Sequence, residues 1–189
     1  MSQLLVRDVC PQDVDALLAI HNHYICHTAV NFDWEEVSRE DFCARMERTL
    51  ARYPYFVAER GGVPVGFAYA GPFVGRSAYD WSAELTIYLA PDERGQGTGR
   101  KLYESLEATL SAMGIRNLYA CIGYPEEEDE YLTQDSARFH ERMGFAVVGR
   151  HHKCGYKFGR WYDMIWMEKI IQSHDEGMDA VIAYRDLAR

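Results

Sequence analysis

The residues best placed to do chemistry stand in one short string, Arg94, Gly95, Gln96, Gly97, Thr98, Gly99 and Arg100. An apolar run precedes it and a helical pattern follows. The first amides of a helix lack intrahelical partners, and the helix dipole adds partial positive charge at that end. Glycine lets the backbone come close to an anion, so amides from Gln96 to Arg100 can converge on one pyrophosphate. Arg94, Arg100 and Lys101 add local positive charge. Two other nucleotide loops fail on spacing. Gly95, Gly97 and Gly99 do not make the G-x-G-x-x-G of a dinucleotide site, and no G-x-x-x-x-G-K-S/T string exists. A glycine-rich turn without a ligand is the plain alternative.

Glu84 is the next candidate, a carboxylate within the otherwise apolar or small run from Ala83 to Tyr88. Buried there, its pKa would rise and it would serve as a general base. A strand glutamate facing solvent is the simpler alternative. His23 and His27 are spaced for one helix face, with His21 nearby, but no H-E-x-x-H string accompanies them. A solvated helix face explains them, and no metal is expected. His151 and His152 are adjacent on a strand and point to opposite faces.

The elements that must position these groups follow from periodicity. Residues 3–9 alternate as a strand, and Pro11 suits a helix start ahead of the apolar pattern from Val14 to about His27. Ser38 with Asp41 three residues on opens a second helix to about Arg52. Residues 55–60 and 63–70 around Gly61 and Gly62 form a hairpin, and residues 82–90 are a further strand. A helix from about Thr98 to Met113 ends at Gly114. Then come a strand at 116–122, a helix at 136–143, and strands at 145–157 and 161–169. The order β-α-α-β-β-β-α-β-α-β-β describes one mixed α/β domain over residues 1–171, with residues 172–189 as a tail. The run Glu126, Glu127, Glu128, Asp129 and Glu130 is expected to be a solvated loop.

The R-G-x-G-x-G string between a strand and a helix resembles the coenzyme-A loop of the GNAT (Gcn5-related N-acetyltransferase) superfamily. Residues 139–145, FHERMGF, resemble the F-Y-E-K-x-G-F segment that closes the same core. The likeness narrows to the phosphinothricin-acetyltransferase-like branch through residues 70–73 (AGPF), 78–81 (AYDW), Glu84, Ile122, Gly123, His140 and residues 155–163 (GYKFGRWYD). It spans about residues 3–169. The resemblance implies the GNAT fold, a mixed and mostly antiparallel sheet flanked by helices, and transfer of an acetyl group from acetyl-CoA to the amine of a small amino-acid-like molecule. It also implies a homodimer that needs no metal. For residues, it implies that Ile87, Tyr88 and Leu89 offer backbone groups to the pantetheine arm, that Ser136 joins the phosphate loop in holding the cofactor, and that His140 stands where many members carry a general-acid tyrosine. Glu84 and His140 together would relay a proton. Arg76 and Tyr79 fall at positions the branch uses for the substrate's acid and polar groups, with Phe32, Thr86 and Tyr88 as pocket walls. Two positions depart from the branch. Pro125 and the acidic run replace a short I-G-x-P-N turn, with Thr133 where the asparagine falls. Val74 stands where a basic residue often follows G-P-W.

Composition agrees with this reading. The chain has 189 residues, a formal net charge of −9 and 48% hydrophobic residues. Such a balance disfavours nucleic acid and anionic membrane as partners. Five scattered cysteines without a C-x-x-C pair, no secretory pattern and no long apolar run give a cytoplasmic expectation. Acetylation of a polyamine or a peptide amine, and a non-catalytic acyl-CoA sensor on the same fold, are the competing readings.

Overall fold

A computed structural model describes residues 3–187. Seven strands form one sheet: β1 (Leu4–Asp8), β2 (Tyr55–Arg60), β3 (Val63–Pro72), β4 (Ser82–Leu89), β5 (Asn117–Tyr124), β6 (Ala146–Lys157) and β7 (Arg160–Ile170), in the spatial order β1-β2-β3-β4-β5-β7-β6. Four helices accompany them: α1 (Val14–His27), α2 (Arg39–Leu50), α3 (Thr98–Met113) and α4 (Asp135–Arg142). All neighbouring strands are antiparallel except β4 and β5. The expected element order is therefore observed.

Local rules explain most boundaries. Gly61 and Gly62 adopt φ values of 61° and 83°, the left-handed pair that a two-residue hairpin requires. The Ser38 hydroxyl accepts the Asp41 amide at 3.1 Å and starts α2. Pro11 departs from expectation. It opens a 3-10 turn (Pro11–Asp13), and α1 proper begins at Val14. Asp13 stays at that junction because Arg7 holds its carboxylate at 2.7 and 2.8 Å, which also pulls its pKa down to about 2.

The two sheet faces are covered differently. Leu17, Ile25, Phe42 and Met46 of α1 and α2 share a core with Val57 and Phe67. Leu102, Leu106 and Leu110 of α3 share the other core with Ala68, Ala70, Leu118 and Met167. Each fully buried leucine contributes about 1.5–3 kcal/mol. The last residues do more than trail. Ile182 and Tyr184 donate amides to the Met113 and Arg52 carbonyls at 2.9 and 2.8 Å. Val181, Tyr184 and Leu187 pack against the α3-side core. Residues 188 and 189 of the expected tail lie outside the described residues. No described helix is long and apolar enough to cross a membrane.

One feature of the sheet makes the site. The parallel pair β4–β5 is held only at Ser82–Asn117, Ala83–Leu118 and Glu84–Tyr119. Beyond Glu84 the strands part, although β4 stays paired to β3 as far as Leu89. One backbone edge of residues 85–89 therefore has no strand partner, and a gap opens through the middle of the sheet.

Candidate active site

Two connected hollows occupy that gap. A groove of about 520 Å³ is lined by Gly95, Gly97, Thr98, Gly99, Arg94 and Arg100 on one side and by Arg138, Phe139 and Arg142 of α4 on the other. A cavity of about 280 Å³ is lined by Glu84, Thr86 and Tyr88 of β4, Phe32, Tyr103 of α3 and His140 of α4. Val30, Ile87 and Ser136 border both. The expected cofactor and catalytic residues thus come together, with the exceptions that follow.

The loop has the backbone shape that an anion cradle needs. Gly95 and Gly97 have φ values of 76° and 82°, which turn the chain sharply into α3. Gly99 lies on the first turn, where a Cβ would sit 3.2 Å from the Phe139 ring. The buried Glu93 anchors the loop from behind. It is paired with Arg60 and takes the Thr98 hydroxyl, and the Arg60 guanidinium holds its carboxyl below the usual range. Thr98 therefore spends its side chain on Glu93 and can offer only its backbone to a ligand. Gln96 turns its amide back to the Asp92 carbonyl at 2.9 Å and does not line the groove. Arg94 lies over the Tyr24 ring at 5.7 Å. The Leu89 carbonyl already accepts the Tyr24 hydroxyl at 2.7 Å, so of the three β4 residues expected to meet the pantetheine arm this one has its oxygen engaged.

Glu84 is half-buried at the point where β4 and β5 part, and burial raises its pKa. His140 is 3% exposed, and burial lowers its pKa to about 4, so the ring is neutral at ordinary pH. Its Nδ1 lies 2.7 Å from the Ser136 carbonyl, which can only accept, so Nδ1 carries the hydrogen. Nε2 is then the acceptor for the Tyr103 hydroxyl at 2.8 Å. Tyr103 is the residue that the sequence reading missed. On α3 it falls among the buried positions of the helix, and its hydroxyl's contact with a residue 37 positions away singles it out. Burial, and then the nearby Glu84 charge, raise its pKa further from ionisation.

Phe32 lies in the cavity wall against two glycines. A Cβ on Gly155 would collide with its ring, and one on Gly123 would sit 3.1 Å from it. Tyr88 is deeply placed, its hydroxyl accepting the Asn31 side-chain amide at 3.1 Å. Arg76 and Tyr79 are not brought to the cavity. Both are exposed in the segment before β4, where Tyr79 meets Phe73 edge-on at 6.1 Å. Among the described residues, no arginine or lysine lines the cavity, so a substrate acid group finds no cation in its walls. His23 and His27 face each other at 4.9 Å on α1, and no group of three possible metal ligands occurs among the described residues.

Comparison with known proteins accords with this geometry. The family model described as "Acetyltransferase (GNAT) domain" matches residues 6–166. Phosphinothricin N-acetyltransferase of Streptomyces viridochromogenes is 37% identical over 159 residues, covering 84% of this chain and 83% of that protein. The L-methionine sulfoximine/L-methionine sulfone acetyltransferase of Salmonella typhimurium is 30% identical over 172 residues, covering 90% of this chain and 96% of that one. Among solved structures, a phosphinothricin acetyltransferase from Sinorhizobium meliloti in complex with AcCoA superposes with a TM-score of 0.84 at 28% identity, covering 98% of this chain and all of that one. The chain belongs to the GNAT acetyltransferase family. It is an acetyltransferase enzyme of the phosphinothricin-acetyltransferase-like kind.

Proposed function

We propose that the protein transfers the acetyl group of acetyl-CoA to the primary amine of a small amino-acid-like molecule. The carrying observation is the joining of a glycine-rich, arginine-lined groove to a cavity that holds one raised-pKa carboxylate. The pyrophosphate sits on the amides at the start of α3, with Arg94 and Arg100 beside it, and Arg138 and Arg142 face it across the groove. The pantetheine arm runs along the unpaired edge of β4 at Ile87 and Tyr88, past Ser136, and brings the thioester to the cavity. Coenzyme A supplies an activated acyl group, and no covalent enzyme intermediate is needed.

Glu84 takes the proton that the ammonium must lose. The Tyr103 oxygen, its hydrogen given to His140, accepts one N–H of the amine and orients the lone pair toward the carbonyl carbon. His140 acts as the group that fixes Tyr103, since its single hydrogen is bound to Ser136. The C–N bond forms, a β4 amide stabilises the oxyanion, and the C–S bond breaks to release the thiolate, which takes up the second proton that the nitrogen loses as the amide forms. Acceptors of the phosphinothricin or methionine sulfone and sulfoximine type are favoured by the relatives' activities. A polyamine acceptor draws little support from the acidic run, because Glu128, Asp129 and Glu130 are paired with Arg138 and Arg160.

Release of CoA thiol from acetyl-CoA across phosphinothricin, methionine sulfone, methionine sulfoximine, amino acids, polyamines and short peptides tests the reading. Turnover confined to the amino-acid-like group supports it. Turnover only with polyamines or peptides reassigns the acceptor, and acetyl-CoA binding without turnover of any amine favours a sensor. Gly155→Ala is expected to push Phe32 off its seat, raising the acceptor KM several-fold with the acetyl-CoA KM unchanged. Equal effects on both would break the link between Phe32 and the acceptor. A homodimer is part of the proposal, supported by the exposed cluster of Trp34, Tyr156 and Trp161, which are 68%, 44% and 60% exposed. Sedimentation at the mass of one chain would remove it.

A further inference from the structure

The acidic run from Glu126 to Glu130 is a loop whose acids are exposed, as expected, except for the half-buried Asp129, and its centre is held in a fixed shape. Residues 125–134 join β5 to α4 and are folded onto themselves. The Asp129 carboxylate accepts the amides of Tyr131 and Leu132, both at 2.8 Å, and the Tyr162 hydroxyl at 2.8 Å. Arg160 pairs with Asp129 at 2.8 Å and with Glu130 at 2.9 Å, while its guanidinium covers the Tyr131 ring. Arg138 holds Glu128 at 2.8 Å. Tyr131 stacks on Phe158 at 4.3 Å, and its carbonyl accepts the Ala29 amide at 2.9 Å. The polar groups of the loop's centre are thus committed to its own shape. The group it presents to the cavity wall is the side chain of Leu132.

Leu132 is 2% exposed in a small core with Ala29 and Tyr162, apart from the two cores that hold the helices to the sheet. Phe32 and Val30 flank that cluster and line the cavity as well. A packed wall admits or rejects a ligand by methylenes, because packed side chains do not yield continuously. Leu132 is further restrained, since its backbone amide is bound to Asp129 and Asp129 to Arg160. We propose that Leu132, clamped by the Asp129–Arg160 pair, is the specificity-determining wall of the acceptor cavity. It limits the length and bulk of the side chain that an acceptor amine can carry. The proposal rests on the acetyl-transfer reading given above.

The test is kcat/KM at saturating acetyl-CoA over amino acids and their amine analogues graded from one-carbon to aromatic side chains. Leu132→Ala is expected to shift the ratio of large to small acceptors by about tenfold or more in favour of the large. Leu132→Phe is expected to shift it the other way, and Leu132→Met to leave the ranking in place. Arg160→Gln, with Leu132 intact, should reproduce part of the alanine effect by loosening the clamp. Melting curves and acetyl-CoA affinity show whether each variant is folded. Alanine and phenylalanine variants that bind acetyl-CoA normally yet scale every acceptor by one factor, or move the ranking in the same direction, overturn the proposal. Wild-type silence with every amine is a different result, since it removes the acetyl-transfer reading and this proposal together.

Discussion

Glu84→Gln is expected to lower kcat by about 10²- to 10⁴-fold, the usual contribution of a positioned general base. Acetyl-CoA binding should be unchanged, because Glu84 lines the smaller cavity, proposed for the acceptor, and not the groove beside the glycine-rich loop. Glutamine keeps the shape and removes only the capacity to take a proton. The pH dependence has a definite sign. Burial raises the Glu84 pKa above its usual value, so the base is lost as pH falls, and kcat/KM should drop through an apparent pKa above that of an ordinary glutamate. Stability runs the opposite way. Between the unfolded and the folded pKa the native state binds more protons, so stability falls as pH rises through that window. At neutral pH the buried carboxylate therefore costs stability, and the glutamine variant should melt no lower than the wild type. Reduced acetyl-CoA affinity with normal turnover would remove Glu84 from the role.

Gly97→Asp is expected to do the reverse, abolishing tight acetyl-CoA binding while the chain still folds. Gly97 is the N-cap of α3 with φ of 82°. Aspartate enters the left-handed region more readily than most residues and is favoured at helix N-termini, so the fold should survive. Its carboxylate would compete for the free amides and stand beside the pyrophosphate. Two like charges 4 Å apart near a protein surface repel by about 4 kcal/mol, which is roughly a thousandfold in Kd. Calorimetry with acetyl-CoA reads this directly, and an unchanged Kd in a folded variant would mean that the loop is not the phosphate site.

Much of the molecule was legible because it is locally encoded. Glycine spacing, a serine cap, an alternating strand and a 3.6-residue stripe each constrain a few neighbouring residues, and the residues that make those signals are the ones that answer to them. The glycine-rich loop, its helix and the order of the elements along the chain could be read on those terms, and so could Glu84 as an acid in an apolar strand. Roles that depend on contacts between distant residues could not. Tyr103 and His140 meet because α3 and α4 border the same gap, and nothing on either helix alone signals the pairing. Arg76 and Tyr79 were read by position, yet the segment before β4 leaves them outside the cavity.

The sequence by itself determined the elements, the glycine-rich turn into α3 and the family, since these rest on short-range pattern and on identity of motif. Only the tertiary structure decided where β4 leaves β5, that Val181, Tyr184 and Leu187 pack against the α3-side core, that burial favours the neutral form of His140 beside Tyr103, and that Arg138 and Arg160 pair with three of the five consecutive acids. Each of those outcomes depends on which distant groups become neighbours. Burial, ion pairing and proton affinity are properties of those neighbours more than of the residue itself.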